Sequence, residues 1–152
     1  MLFISMTITI QKINLIDTER LAYIGRQSLP IYYNSIHIFN LSMDPNYILL
    51  KSIINDTLVG LCFIKIIDNR YHIMSIAVLD TYRRQGVGNK FIKYVKENYT
   101  QNKQNKISLY VQTTNVNAIN FYKKNSFIQV KKICNYYEGL DNPDAYYLEF
   151  GE

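Results

Sequence analysis

Apolar residues along this chain follow two periods, and the changes of period divide it into elements. Thr7–Leu15 alternates in the manner of a strand, and Asp17 and Thr18 stand where a helix would be capped. Leu21 and Ile24 give the next helix one apolar face, and Leu29-Pro30 ends it. Pro30–Asn34 reads as a loop and Ile36–Leu41 as a short second helix. Tyr47–Ile54 and Leu58–Ile67 are apolar runs on either side of Asn55-Asp56, a hairpin pattern. Asp68-Asn69-Arg70 predicts a second turn. Tyr71–Leu79 is almost uniformly apolar and predicts a strand buried on both faces.

The period changes after Arg83-Arg84-Gln85-Gly86-Val87-Gly88. Val87, Phe91, Ile92 and Val95 fall at helical spacing, and the helix fades in the polar run Asn98–Asn105. Ile107–Thr113 predicts another strand. Asn115 can cap a helix whose apolar members are Ala118, Ile119 and Tyr122. Phe127–Ile133 and Ala145–Phe150 complete the pattern as strands, joined by a loop with Tyr136, Tyr137 and Asn142-Pro143. The order is β, α, α, β, β, β, α, β, α, β, β. It predicts an α/β (α+β) domain, a mixed sheet covered by helices, as a single unit over residues 1–152.

Composition narrows this only slightly. The chain has 152 residues, 48% hydrophobic and 19% charged, enough for one sizeable core. Seventeen basic residues against 12 acidic ones give a formal charge of +5, which favours polyanionic ligands in general. The basic residues form no stripe and no nucleic-acid motif, so a nucleic-acid module is poorly supported. Cys62 and Cys134 lack metal-ligand spacing, which argues against zinc and a disulfide framework and for two reduced structural thiols. Met1–Ile10 lacks the charged start and cleavage site of a signal peptide, and no apolar run is long enough for a bilayer. A cytoplasmic protein that uses neither metal nor membrane is expected.

The chemistry is concentrated at residues 83–88. A strand that enters a glycine-rich turn and then a helix builds an anion site, because the helix's first N–H groups have no internal partners. The helix dipole adds about half a positive charge there. Gly86 and Gly88 allow close approach of a phosphate, and Arg83 and Arg84 add charge. No Gly-Lys-Ser/Thr follows, which excludes a nucleotide-triphosphate P-loop, and the GxGxxG dinucleotide pattern is absent.

Arg83-x-x-Gly86-x-Gly88 resembles the pyrophosphate loop of the GNAT superfamily of N-acetyltransferases. Asn115-x-x-Ala118-x-x-Phe121-Tyr122 resembles that family's second cofactor segment, at the expected spacing. The resemblance implies a twisted, mostly antiparallel sheet with a splayed central strand pair and helices on both faces. It implies acetyl-CoA as cofactor and coenzyme A as product. Main-chain groups of Ile76, Ala77 and Val78 would hold the pantetheine. The loop Arg83, Arg84, Gln85, Gly86, Val87, Gly88 and Asn89 would hold the pyrophosphate. Asn115, Asn117, Ala118, Tyr122 and Lys124 would contribute from the second segment, with Tyr122 as acid toward the leaving thiolate.

Several stretches resemble one branch, the NatE catalytic (San-type) N-terminal acetyltransferases. They are Leu29–Asn34, Tyr71–Ile76, Ser108–Gln112, Asn135-Tyr136-Tyr137 and Pro143-Asp144-Ala145. The resemblance implies a protein N-terminus as substrate, Met-initiated, and partnership with a ribosome-associated acetyltransferase complex. Tyr33, Met74, Tyr136 and Tyr137 would line the peptide slot, and Leu29, Pro30 and Ile31 would hold the first side chain.

Two positions depart from the branch. The catalytic Tyr and His exchange places: His72 stands where Tyr is expected and Tyr110 where His is expected. Ser126 replaces a glycine in a slot that favours left-handed backbone, at about 1 kcal/mol. His72, titrating near neutrality, is the better base of the pair. His72 and Tyr110 are therefore either an exchanged catalytic pair facing one cleft, or a core histidine beside an unrelated tyrosine. Three functions remain open: an N-terminal acetyltransferase, an acetyltransferase of lysines or small amines, and an acetyl-CoA-binding scaffold without turnover.

Overall fold

A computed structural model describes residues 6–100 and 105–151. Met1–Ser5, Glu152 and the middle of the Asn98–Asn105 run lie outside the described residues. The element order matches the hydrophobic pattern: β1 (Ile8–Lys12), α1 (Thr18–Ser28), α2 (Ser35–Ser42), β2 (Tyr47–Ile54), β3 (Thr57–Ile67), β4 (Arg70–Val78), α3 (Val87–Tyr99), β5 (Lys106–Gln112), α4 (Val116–Lys124), β6 (Phe127–Ile133) and β7 (Ala145–Phe150). The strands form one seven-stranded sheet in the order β1-β2-β3-β4-β5-β7-β6.

Every neighbouring pair is antiparallel except β4 and β5. That pair is parallel because α3 carries the chain back over the sheet between them. It is also short, joining only Arg70–Ile73 to Lys106–Leu109. Beyond Ile73, β4 keeps its partner β3 as far as Val78 but loses β5. The sheet is therefore split from there onward.

Helices cover the sheet unequally. On one face Val87, Phe91, Ile92 and Val95 of α3 and Ile119 of α4 pack with Leu50, Ile64, Ile73, Leu109 and Leu148. On the other, Leu21 and Ile24 of α1 and Ile38 and Leu41 of α2 pack with Leu49, Leu61, Phe63 and Ala77. This second cluster includes no residue of β5, β6 or β7.

Local chemistry explains the joints. Asn55 (φ 48°) and Asp56 (φ 63°) are both left-handed, as a two-residue hairpin with matching twist requires. Asn34 accepts from the His37 N–H at 2.8 Å and caps α2. Asn115 caps α4 by accepting from Ala118 N–H at 3.2 Å.

Four expectations need correction. The first strand is shorter than Thr7–Leu15, since Leu15–Asp17 forms a 3-10 turn. Asp17 stands at the N-cap of α1 but makes no side-chain cap bond there, and Thr18 is already the first helical residue. The Asp17 carboxylate instead takes the Asn14 N–H at 2.7 Å and the buried Lys51 ammonium at 2.7 Å. The strand Tyr71–Leu79 is not buried on both faces: within β4 only Ile73 and Ala77 are buried, because β5 diverges and its open face meets a cavity. Cys62 is buried as expected of a structural thiol, whereas Cys134, just beyond edge strand β6, is exposed.

Ser126 adopts φ 69°, the left-handed backbone that favours glycine. Ser126→Gly should therefore stabilise the fold by up to about 1 kcal/mol, raising Tm by roughly 2–4 °C at this chain length. Chemical denaturation reads this directly, and an unchanged midpoint would show that the serine carries no backbone strain.

Candidate active site

The split between β4 and β5 opens toward the loop that follows β4. Leu79 N–H bonds to the Val59 carbonyl at 2.9 Å, on the β3 side. By strand alternation, the main-chain groups of Val78 and Ile76 face the other way, where β5 has left. The loop then turns through two left-handed residues, Arg84 (φ 59°) and Gly86 (φ 86°). No side chain caps α3, so its first-turn N–H groups are bare. Bare amides, left-handed turns and a helix dipole favour an anion.

The two glycines and two arginines of the loop serve different purposes. A Cβ at Gly86 would meet nothing within 4 Å, so this position requires its backbone angle and leaves open space for a ligand. A Cβ at Gly88 would lie 2.8 Å from the Phe121 ring. Gly88 therefore permits α3 to rest on α4, a packing role beside the phosphate approach expected of it. Asn89 joins the same contact, its Oδ1 accepting from Asn125 Nδ2 at 3.0 Å. Arg83 turns back, with Nε donating to the Val78 carbonyl at 3.0 Å and Nη1 meeting Asp80 at 2.6 Å. Its charge is thus locally paired, and it braces the loop; Arg84 remains exposed. Gln85 also braces, donating to the Thr81 carbonyl at 3.1 Å.

On the face that α1 and α2 leave uncovered lies a cavity of about 740 Å³. Ile31 and Tyr33 border it from the α1–α2 loop, and Tyr136 and Tyr137 from the β6–β7 loop. His72, Met74 and Tyr110 form part of its floor. The β6–β7 wall is anchored: Asn135 N–H donates to Asp144 Oδ1 at 2.9 Å, and Gln112 Nε2 donates to the Asn142 carbonyl at 3.0 Å. The rings form a continuous aromatic surface. Tyr110 stacks on Tyr136 at 4.1 Å, and Tyr136 meets Tyr137 edge-on at 4.8 Å. His72 lies 5.1 Å from Tyr110, ring centre to ring centre.

A protein-family model described as acetyltransferase (GNAT) family matches residues 14–127. The chain belongs to the acetyltransferase (GNAT) family. Among curated relatives it is 41% identical over 81 residues to an N-alpha-acetyltransferase of Sulfurisphaera tokodaii, covering 51% of this chain and 46% of the relative. It is 35% identical over 85 residues to N-alpha-acetyltransferase 50 of Danio rerio, covering 53% and 48%. The matched part of the chain thus spans about half the length of these relatives. The solved structure of Arabidopsis thaliana Naa50 with the bisubstrate analogue CoA-Ac-MVNAL superposes with a TM-score of 0.81 at 25% identity, covering 95% of this chain and 99% of that one.

The remaining residues of this GNAT site are distributed as follows. Asn115 spends its side chain on the α4 cap, and Asn117 and Lys124 are exposed on α4. Ala118 and Tyr122 pack against the larger core, with Tyr122 edge-on to Phe127 at 5.6 Å. Burial, with Cys62 and Tyr137 nearby, pushes the Tyr122 hydroxyl above the ordinary phenol value and keeps it protonated. Val87 is buried in the core. Leu29 and Pro30 do not line the cavity; Leu29 packs into the α1–α2 cluster and Pro30 is exposed.

The sequence reading missed Lys65, Arg70 and Lys106, which line the cavity as cations, and Ser108, which is fully buried. Cross-strand register was the available signal, since Lys65 and Ser108 each pair directly with His72. These neighbours change the histidine. Burial first, then the positive charges of Arg70 and Lys65, lower its pKa to about 4. The expectation of titration near neutrality is therefore corrected: His72 is neutral at pH 7.

The sign of the linkage follows. An unfolded histidine binds its proton near pH 6.5 and the folded one near 4. The stabilisation is complete above pH 6.5 and is lost as pH falls toward 4. A nuclear magnetic resonance titration of His72 should find a midpoint well below 6, and an ordinary midpoint would refute the desolvated site. Separately, Gly88→Ala should destabilise by about 1–3 kcal/mol through collision with Phe121. Phe121→Leu in the same chain should recover part of that loss in denaturant melts.

Proposed function

We propose that this GNAT chain transfers the acetyl group of acetyl-CoA to the α-amine of a polypeptide N terminus. The observation that carries the reading is the aromatic cavity meeting the β4–β5 split at His72 and Tyr110. An extended peptide end fits between the two bordering loops, while the 83–88 loop lies at the far end of β4.

The residues present suit acetyl-CoA. Bare N–H groups of α3 and the open space at Gly86 suit a diphosphate, with Arg84 as supporting charge. The unpaired side of β4 suits an amide-bearing arm, which can add to it as a strand does. When bound, acetyl-CoA supplies an acetyl group activated as a thioester. The chain's own tasks are to orient the amine, to accept its proton and to protonate the departing sulfur. His72 is assigned the second task and Tyr122 the third; Tyr110 and Tyr136 provide apolar walls with hydroxyls for the peptide backbone.

An amine must be neutral to attack. An α-amine has a pKa of about 7.7–8.0, against about 10.4 for lysine, so the α-amine needs far less help. A neutral His72 is free to accept a proton throughout the working range. Naa50 of Arabidopsis thaliana is solved with an analogue joining CoA to MVNAL, which supports a Met-initiated peptide here as well. The same reading includes a ribosome-associated complex as partner and a cytoplasmic setting. No helix among the described residues is long and apolar enough to cross a membrane.

Peptides beginning with Met should be acetylated at the α-amine, located by mass spectrometry. Acetylation confined to lysines or polyamines would replace the substrate assignment, and acetyl-CoA binding without any turnover would replace the enzyme with a scaffold. His72→Ala should lower kcat/KM by about a hundredfold. In the native chain the acidic fall of kcat/KM should track the substrate amine near pH 8, with no further inflection between pH 6 and 7. An inflection there that vanishes in His72→Ala would contradict the lowered histidine.

A further inference from the structure

Behind His72 the side chains continue in a line that the acetyl-transfer reading does not use. His72 Nδ1 lies 2.9 Å from Ser108 Oγ. The Ser108 hydroxyl also acts on the neighbouring Tyr147 phenol as a donor would, favouring its ionised form. Tyr147 donates to Glu149 Oε1 at 3.0 Å. Glu149 Oε1 is 3.6 Å from Arg70 Nη2. Ser108 is 0% exposed and Tyr147 5%, so the middle of the line is largely buried, with Tyr147 also bordering the cavity.

The direction of each bond follows from donor supply. An ionised carboxylate accepts only, so the Tyr147 hydroxyl donates to Glu149. Its oxygen is then left to accept from Ser108. Ser108 has one proton, given to Tyr147, so its lone pairs face His72. The imidazole must supply the remaining proton from Nδ1. Among the described residues this is the ring's single hydrogen bond, and Nε2 is left with its lone pair.

We propose that Ser108 and Tyr147 are positioning residues that lock His72 in the Nδ1–H tautomer, leaving Nε2 as the base. The proposal rests on the acetyl-transfer reading only for what Nε2 then does. The amine nitrogen forms the C–N bond, and the C–S bond of the thioester breaks with its electron pair passing to sulfur. Nitrogen gives up one proton to Nε2, which releases it to solvent; sulfur takes its proton from Tyr122, and solvent restores that phenol. While His72 is cationic, the line of donors connects it to the Glu149 carboxylate. That link opposes the positive groups around the ring, namely Lys65 on β3, Arg70 on β4 and Lys106 on β5. The other titratable side chains around the cavity are Tyr33, Asp68, Tyr110, Tyr136, Tyr137 and Tyr147 itself.

The tautomer readout needs no substrate. Nitrogen-15 shifts of His72 in the full chain distinguish the two neutral tautomers. Native protein should show Nδ1–H. Tyr147→Phe and Ser108→Ala should each shift the balance toward Nε2–H and lower kcat about tenfold, within the range of general-base effects, with KM for acetyl-CoA unchanged. A native ring in the Nε2–H form overturns the proposal, as do variants that keep both tautomer and kcat. If Ser108→Ala fails to fold, Tyr147→Phe decides alone, since its ring fills the same space. A chain that acetylates no amine would refute the acetyl-transfer reading while leaving the tautomer result to be judged by its own spectrum.

Discussion

The structure depends on the short pairing of β4 with β5. A sheet ordinarily satisfies its main-chain groups on both sides of every inner strand. Here the ladder stops at Ile73 and Leu109, and β4 continues for five more residues to Val78 with only β3 beside it. Apart from the Val78 carbonyl, which Arg83 covers, the groups on its open side must find water or a ligand, because an unpaired amide away from both is costly. An edge has thus been placed in the middle of a sheet, where it is flanked by the protein and cannot pair with another chain's edge.

Several contacts hold that edge in its open form. At the closed end, His72 and Ser108 connect the two strands through their side chains. At the open end, Arg83 covers the Val78 carbonyl and ties itself to Asp80. Gly88 lets Phe121 lie directly on α3, and Asn125 holds Asn89, so the helices following the two diverging strands are joined to each other. The split is therefore bounded by packing on every side, which suits a site that must hold two reactants in register.

How much of this could be read beforehand depended on range. Periods of two and near four residues located every strand and helix, because those signals are local. Asn115 was legible as a cap for the same reason. Asp17 was not: its carboxylate is engaged by Asn14 and by Lys51, 34 residues away, and no local pattern reports that partner. The packing of Gly88 on Phe121 and the tie of Arg83 to Val78 and Asp80 were not legible, because a glycine needed for a neighbouring ring looks the same in sequence as one needed for a phosphate. The lowered pKa of His72 likewise needed its burial, Arg70 on its own strand, and Lys65, which only the strand register brings beside it. The exchange of His72 and Tyr110 was visible, but its consequence was not, since that depends on Ser108, Tyr147 and Glu149 behind the histidine.

Under the proposed function, the cations around the cavity would also act on the substrate. A positive environment that disfavours the imidazolium disfavours an incoming ammonium by the same electrostatics. An α-amine near Lys65, Arg70 and Lys106 is thereby biased toward the neutral form that can attack, before any base has acted. The same field makes a lysine side chain, with its higher intrinsic pKa, costlier to bring in. A weakly basic histidine would then be adequate in the role proposed for it, because its proton would come from a nitrogen made strongly acidic by bond formation rather than from a resting ammonium. Under the proposed function, a preference for an α-amine would draw on the same cations that, after burial, lower the basicity of His72.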